Sequence, residues 1–180
     1  MLKKAFQIPG EEFVETYAEL IKSADKEIIA ISNDLSELSH PKIREAIRRK
    51  VNPSSYFDEH YKNGDKLASE RKYREAIIEW EKVRELLESF EHLPEFSKVL
   101  GVLYNNLGFC YLNIDNHQKA KICLESSLFY DPKAVFVNNN LGELHEKLGQ
   151  KDAAIKFYER ELMINPQHPT AIENIKRLKT

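Results

Sequence analysis

The tetrapeptide NNLG occurs at residues 105–108 and again at 139–142, which places the two copies 34 residues apart. Aligning these copies brings further residues into register, namely Ala120 with Ala154, Leu124 with Tyr158, and Pro132 with Pro166. A fixed period of this length indicates a repeat architecture, in which one supersecondary unit stacks on its own copy. The period therefore constrains the fold more than any other property of the sequence.

The order of residues within the period resembles the tetratricopeptide repeat, a helix–turn–helix unit. It consists of a large residue, Leu-Gly, an aromatic residue, Ala, a second large residue and Pro. The glycines at 108 and 142 allow the two helices of a unit to approach closely, and the prolines at 132 and 166 end the second helix. We assign one repeat to residues 101–134 and the next to 135–168.

A looser copy begins earlier in the chain and covers about residues 57–100. Gly64, Ala76 and Trp80 stand where Gly108, Ala120 and Leu124 stand in the next copy, but the offset is 44 residues instead of 34. Apolar residues continue the helical period through the extra ten residues, so we predict a lengthened second helix. We predict that the amphipathic stretch 169–179 forms a capping helix, whose polar side faces solvent at the end of the stacked repeats.

These observations predict an all-α fold. We expect a right-handed superhelical solenoid of three helix–turn–helix repeats with a C-terminal capping helix and an N-terminal helical extension. The predicted domains are an N-terminal extension at 1–53 and a repeat domain at 54–180.

The N-terminal extension carries an apolar residue at alternating spacings of three and four over residues 14–38, which is the pattern of an amphipathic helix. The residues are Val14, Tyr17, Ile21, Ala24, Ile28, Ile31, Leu35 and Leu38. Three interpretations are open: a helix packed back on the solenoid, a homodimer seam, or a strand at KEIIAIS between two helices. The last would resemble the helix–strand start of phospholipase-D-like ligand-sensing domains.

The composition of the chain argues against several classes of partner. The net charge is −2 and the isoelectric point is about 6.3, unlike the strongly basic domains that bind nucleic acid. No stretch has the roughly 18 apolar residues of a membrane span, and the N-terminus lacks the apolar run of a signal peptide. We therefore expect a cytoplasmic protein with no nucleic-acid or membrane partner, in which Cys110 and Cys123 are reduced core residues.

The sequence contains none of the common catalytic or ligand-binding motifs. The six histidines have no metal-ligand spacing, and no glycine-rich phosphate loop or nucleophile motif occurs. We expect no enzyme activity, no cofactor and no metal.

Stacked repeats curve, and their first helices line a concave surface that binds peptides or partner helices. The repeat register places ten candidate groove residues there: Tyr61, Asp65, Asn105, Asn106, Phe109, Asn113, Phe136, Asn139, Asn140 and Glu143. The asparagines of NNLG are expected at this surface, since an amide can pair with both groups of a peptide backbone. They could instead bridge neighbouring helices.

The array is also similar to the co-chaperone domains of large immunophilins, whose "carboxylate clamp" grips the acidic C-terminus of heat-shock chaperones. That resemblance implies two Lys, two Asn and a further basic residue at five groove positions. This chain has Tyr61, Asp65, Asn106, Phe136 and Asn140 there, so only Asn106 matches. We predict a groove that prefers a neutral or basic peptide and does not bind an EEVD-type tail.

The favoured function is a non-enzymatic scaffold that binds a protein or peptide segment in the groove. The alternative is a dimeric chaperone that holds a client segment, since the chain resembles bacterial secretion chaperones in length and repeat number. A third hypothesis is a ligand-responsive regulator that uses the first fifty residues.

Overall fold

The computed structural model describes residues 53–88 and 96–180, which contain seven helices and no strand. The helices are α1 (Pro53–Ser69), α2 (Tyr73–Glu88), α3 (Ser97–Asn113), α4 (His117–Tyr130), α5 (Val137–Lys147), α6 (Lys151–Ile164) and α7 (Pro169–Lys179). Successive helices pack on one another, and α3 also packs on α5. This arrangement confirms the predicted all-α solenoid. The predictions for residues 1–52, and for the part of the lengthened helix that falls on residues 89–95, lie outside the described residues.

Each repeat is an antiparallel helix pair joined by a glycine-to-large-residue contact. A methyl group on Gly108 would lie 2.7 Å from Leu124 Cδ2, so only glycine lets α3 and α4 approach as they do. Gly64 meets Trp80 in the same way, and Gly142 meets Tyr158. The two alanines predicted at the tight contacts, Ala120 and Ala154, are fully buried, as is Ala76 in the first repeat. The aligned positions therefore have the packing role that the sequence predicted.

The turn within each repeat has the same backbone conformation three times. Arg71, Asp115 and Gly149 occupy equivalent positions and have φ angles of 62°, 58° and 72°. In each turn the following residue donates its N–H to a carbonyl five residues earlier, as in the bond from Lys72 to Leu67 at 2.9 Å. This is the left-handed ending of a helix that favours glycine, yet only the third repeat has glycine there.

Replacing Arg71 with glycine should raise the free energy of unfolding by about 1 kcal/mol, because glycine adopts positive φ without the steric cost that a Cβ imposes. Chemical denaturation of the full chain measures the change. The reverse substitution, Gly149→Ala, should lower the free energy of unfolding by a similar amount. A loss of stability in Arg71→Gly would contradict this assignment of backbone strain.

A continuous apolar core runs from α1 to α5, and a second cluster joins the last two helices. In the second cluster Ala154, Tyr158 and Ala171 are fully buried, with Leu162, Ile175 and Leu178 packed against them. The helix α7 thus covers the apolar side of α6. This agrees with its predicted role as a cap.

The second helix of the first repeat, α2, has 16 residues in its described part, against 14 in α4 and 14 in α6. The remainder of the predicted lengthening falls on residues 89–95, outside the described residues.

Candidate functional site

The candidate groove residues lie mostly on α1, α3 and α5, the first helices of the three repeats. The structure brings several of them into pairs across neighbouring helices. Asn106 on α3 places Nδ2 3.4 Å from the Tyr61 hydroxyl on α1, and Asn140 on α5 donates from Nδ2 to Asn105 Oδ1 on α3 at 2.8 Å. The repeated asparagines therefore connect the three first helices in series.

The expectation that these asparagines lie at a solvent-exposed surface is wrong. Asn105, Asn106, Asn139 and Asn140 are all 0% exposed. One physical reason is that neighbouring first helices pack against each other here, so that Asn140 donates to Asn105 and Asn106 lies against the Tyr61 hydroxyl. The bridging role left open in the sequence analysis is thus present for Asn105, Asn106 and Asn140. Their role in ligand binding stays a prediction.

Not every buried polar atom in this layer has a partner. Asn105 Nδ2, Asp58 Oδ1 and Asp65 Oδ1 are shielded from solvent and have no hydrogen-bond partner among the described residues. A buried polar group without a partner costs about 1–3 kcal/mol. These atoms are the ones that a bound ligand could satisfy.

The half-buried carboxyl groups of the layer include those of Asp65 and Glu143. Burial raises the pKa of Asp65 to about 7. Burial also raises the pKa of Glu143, and the adjacent Asn139 amide opposes this rise. The pKa of Tyr61 is raised by burial first and by the charge of Asp65 second. All three shifts disfavour negative charge, so an anionic ligand group would fit poorly in this part of the layer.

The other candidates lie towards the edges of the layer. Phe109 is nearly buried and makes an edge contact with the Tyr73 ring, at 5.9 Å between centroids. Asn113, at the end of α3, is exposed and donates its amide to the Phe109 carbonyl at 2.8 Å. Asn113 is therefore the candidate most accessible to solvent.

Phe136 is separated from the others by its position at the start of α5. Its φ is 71°, its ring lies 5.1 Å from that of His168, and its backbone N–H donates to Glu161 Oε1 at 3.1 Å. Glu161 is completely buried. Sequence reasoning missed Glu161, because nothing in the pattern distinguishes it from the many glutamates on helix surfaces.

The described residues provide no evident catalytic chemistry. Within residues 53–88 and 96–180, no group of three or more His, Cys, Asp or Glu side chains could hold a metal ion. Burial raises the pKa of the Cys123 thiol to about 12 and also raises that of the Cys110 thiol. Both thiols are therefore protonated near neutral pH and are poor nucleophiles. No helix in this part of the chain is long and apolar enough to cross a membrane.

Comparison with known protein families identifies the repeats. Residues 102–133 and residues 135–168 each match a family model of the tetratricopeptide repeat. These two segments are tetratricopeptide repeats. Proteins of this family are interaction scaffolds, generally without enzyme activity. The two matches agree closely with the repeats drawn from the NNLG period.

Among curated proteins, the tetratricopeptide-repeat chain is similar to unc-45 homolog B and to ycf37. It is 28% identical over 117 residues to the unc-45 homolog B of Xenopus tropicalis, which is 65% of this chain and 12% of that protein. It is 28% identical over 125 residues to ycf37 of Pyropia yezoensis, covering 68% of this chain and 66% of that one. The chain thus spans only about an eighth of the unc-45 homolog.

Among solved structures, the chain resembles two tetratricopeptide-repeat domains. The TM-score to the Arabidopsis OM64 domain is 0.61 at 18% identity, covering 69% of this chain and 95% of that one. The TM-score to the second such domain of human RPAP3 is 0.59 at 18% identity, covering 71% and 98%. The RPAP3 domain was solved with the HSP70 peptide SGPTIEEVD. These similarities support the same fold.

Proposed function

We propose that this protein is a non-enzymatic scaffold that binds a segment of a partner protein on the concave layer formed by α1, α3 and α5. The observation that carries the proposal is that buried polar atoms of that layer, at Asp58, Asp65 and Asn105, have no hydrogen-bond partner within residues 53–88 and 96–180. Protein interiors satisfy nearly all such atoms, so each exception calls for a partner, such as a water, an ion or a ligand group.

The chemistry of the layer defines the class of partner segment. Burial raises the pKa of Asp65 to about 7, and a Lys or Arg side chain would bring the compensating charge that favours its ionised form. Asn105 offers an N–H donor to a peptide carbonyl. Phe109, on the same helix as Asn105, suits an apolar side chain of the same segment. A basic segment with an aromatic or aliphatic anchor therefore fits best.

Selection from a library of random 12-residue peptides, displayed on phage and applied to the immobilised full chain, tests the proposal. Enriched sequences should contain Lys or Arg close to an apolar residue. A synthetic peptide of the enriched sequence should bind Asp65→Asn at least tenfold more weakly than the wild type, because the charge pair is lost. The matched control Asp115→Asn changes an exposed carboxyl outside the layer and should leave the affinity unchanged. Equal affinity for all three proteins would contradict the proposal.

A second candidate function, that of a co-chaperone, is favoured by the RPAP3 domain with its HSP70 peptide. The clamp positions argue against it, since Tyr61, Phe136 and Asn140 stand where basic residues would hold an acidic terminus. We expect the peptide SGPTIEEVD to bind this chain at least 100-fold more weakly than it binds the RPAP3 domain in a parallel fluorescence-anisotropy titration. Comparable affinity for the two proteins would favour the co-chaperone.

A further inference from the structure

The second helices of the repeats carry large apolar side chains that are exposed to solvent. Ile78 of α2 is 58% exposed, and Ile122 of α4 is 56% exposed. Phe129 of α4 and Met163 of α6 are still more exposed, at 79% and 76%. Single exposed apolar residues are common on protein surfaces, whereas a connected set of them marks an interaction surface. Their arrangement therefore decides what these four residues mean.

The four residues take equivalent positions in neighbouring repeats. Ile78 precedes Ile122 by 44 residues, the offset between the first two repeats, and Phe129 precedes Met163 by 34 residues, the offset between the second and third. Within α4, Ile122 and Phe129 are seven residues apart, so they share one side of the helix about 10.5 Å apart along its axis. The four residues thus form a stripe across α2, α4 and α6, which we call the outer stripe.

A cavity of about 260 Å³ opens beside the outer stripe, between α2 and α4. Its lining includes Glu81, Arg84, Tyr104, Tyr111, Lys119 and Ile122. Most of the polar groups are already paired, because both tyrosine hydroxyls donate to glutamates of α2 and Arg84 forms ion pairs with the same glutamates. The Lys119 ammonium lies 5.2 Å from the centre of the Tyr111 ring. The cavity therefore offers room for an apolar side chain beside one cation.

A second cavity, of about 370 Å³, lies on the other side of α4, between α4 and α6. Its lining consists of Leu128, Pro132, Asn138, Arg160, Met163 and Ile164. The Arg160 guanidinium lies 5.2 Å from the centre of the Phe157 ring. The second cavity thus repeats the combination found in the first, with apolar walls and a cation that lies over an aromatic ring.

The cations beside the two cavities are not neutralised by the described part of the chain. Within residues 53–88 and 96–180, neither Lys119 nor Arg160 has a carboxylate oxygen within 4.0 Å. The exposed glutamates of α4 and α6, Glu125 and Glu159, are each paired with a lysine. Asp152 lies in the first turn of α6, eight residues before Arg160. The surface of α4 and α6 around the outer stripe therefore has positive charge to offer a partner.

We propose that the outer stripe and its two cavities bind an acidic amphipathic helix of a partner protein. Large apolar side chains of that helix would enter the cavities, and its Asp or Glu side chains would pair with Lys119 and Arg160. A helix presents residues seven apart on one side at about 10.5 Å, which matches the spacing of Ile122 and Phe129. The charge of the surface favours an acidic helix over a basic one.

This surface is separate from the concave layer, and its charge preference is the opposite one. The outer stripe lies on second helices and shares no residue with the layer formed by α1, α3 and α5. A basic segment would bind near Asp65, whereas an acidic helix would bind beside Lys119 and Arg160. The chain would then connect two partners of opposite charge, one on each side of the repeats.

Selection from a displayed library of helix-forming 20-residue peptides tests the surface. The library is first depleted on the variant Phe129→Ser/Met163→Ser, in which the two most exposed residues of the stripe are polar, and is then applied to the immobilised wild-type full chain. Enriched sequences should carry Asp or Glu beside large apolar residues that recur at spacings of three, four and seven. Enrichment of basic sequences, or no enrichment at all, would overturn the proposal.

A synthetic peptide of the enriched acidic sequence tests the role of each cation. Lys119→Gln and Arg160→Gln should each weaken its binding about three- to fivefold in a fluorescence-anisotropy titration, the scale of an exposed ion pair. The double variant should weaken it at least tenfold. Lys151→Gln is the matched control, since Lys151 is exposed on α6 and lines neither cavity, and it should change the affinity less than twofold. Equal losses in the control and the two variants would overturn the proposal.

A second copy of the chain is the alternative occupant of the outer stripe. Sedimentation velocity of the wild type and of Phe129→Ser/Met163→Ser distinguishes the two cases, and we expect the two proteins to sediment alike. A dimer that is present in the wild type and lost in the variant would overturn the proposal in favour of self-association.

Asp65→Asn separates this surface from the concave layer. It should leave the affinity for the acidic helix unchanged, and Lys119→Gln/Arg160→Gln should leave the affinity for the library-selected basic peptide unchanged. If Asp65→Asn weakens the acidic helix and the two cation variants do not, the helix occupies the concave layer and the outer surface is wrong. If no basic peptide binds but the acidic helix binds through Lys119 and Arg160, the proposed function is wrong and the outer surface stands.

Discussion

The variant Asp65→Asn should be more stable than the wild type at pH 7.5, by about 4 kcal/mol, and nearly equal to it at pH 4. The pKa of Asp65 is raised by burial from 3.8 to about 7 in the folded chain. Between these values the unfolded chain has released a proton that the folded chain still holds. The contribution of Asp65 to the free energy of unfolding is therefore complete below about pH 4, and it is lost as the pH rises through about 7. Asparagine is neutral throughout and removes this loss.

Chemical denaturation at half-unit steps from pH 4.5 to pH 8 measures the effect. The wild type should become less stable across this range, and the curve for Asp65→Asn should be flatter. Some slope should remain, because the pKa of Glu143 is raised in the same direction. Asp115→Asn is the control, since the pKa of exposed Asp115 is lowered by its hydrogen bond and charge pairing with Lys147 and so affects stability only at lower pH. Parallel curves for wild type and Asp65→Asn would contradict the assignment.

The gain in stability of Asp65→Asn should be accompanied by weaker peptide binding. The same substitution that stabilises the free protein should weaken the binding of a basic peptide, because it removes the group that the peptide's cation would satisfy. Binding sites commonly retain destabilising groups of this kind. If Asp65→Asn gained stability without losing affinity for the peptide, Asp65 would not be part of the binding site.

Trp80→Ala should lower the free energy of unfolding by about 3–5 kcal/mol, the range for removing a large buried aromatic side chain. Trp80 is completely buried and packs against Gly64, so its loss would leave a cavity between the two helices of the first repeat. Repeat arrays are stabilised by contacts between neighbours, so the defect should weaken α3 as well. Urea denaturation, followed by circular dichroism, gives the change.

The matched control is Ile78→Ala on the same helix. Ile78 is 58% exposed, and its truncation should change the free energy of unfolding by less than about 0.5 kcal/mol. A cost below 1 kcal/mol for Trp80→Ala would mean that the first repeat does not depend on the glycine-to-large-residue contact that defines the alignment.

The repeat fold was predictable because its determinants are local and periodic. The glycine that faces a large residue, the buried alanine and the proline that follows the second helix recur at fixed spacing, and each acts through contacts within one unit. The early copy at Gly64 and Trp80 was recognisable despite its offset because the same contact requires the same residue types. Helix ends followed from Pro132 and Pro166, each two residues beyond the last helical residue.

The site was predictable only in part, because burial depends on what lies over a face. Repeat register placed Asn105 and Asn140 on first helices, but it could not show that their amides would pair with each other and be shielded from water. The raised pKa of Asp65 arises from the surroundings of its carboxyl group and leaves no mark in the local sequence. The hydrogen bond from the Phe136 N–H to the Glu161 carboxylate joins residues that are 25 positions apart in the sequence, and no local pattern predicts it.

Chemical-shift mapping by NMR tests the central claim most directly, by locating where a peptide binds the full chain. On addition of the library-selected basic peptide, the largest amide shifts should occur in α1, α3 and α5, around Asp65, Asn105 and Asn113. The opposite side of the repeats offers a different site, a cavity of about 260 Å³ lined by residues that include Glu81, Arg84 and Ile122. Shifts centred on that cavity, with the concave layer unchanged, would contradict the assignment of the binding site.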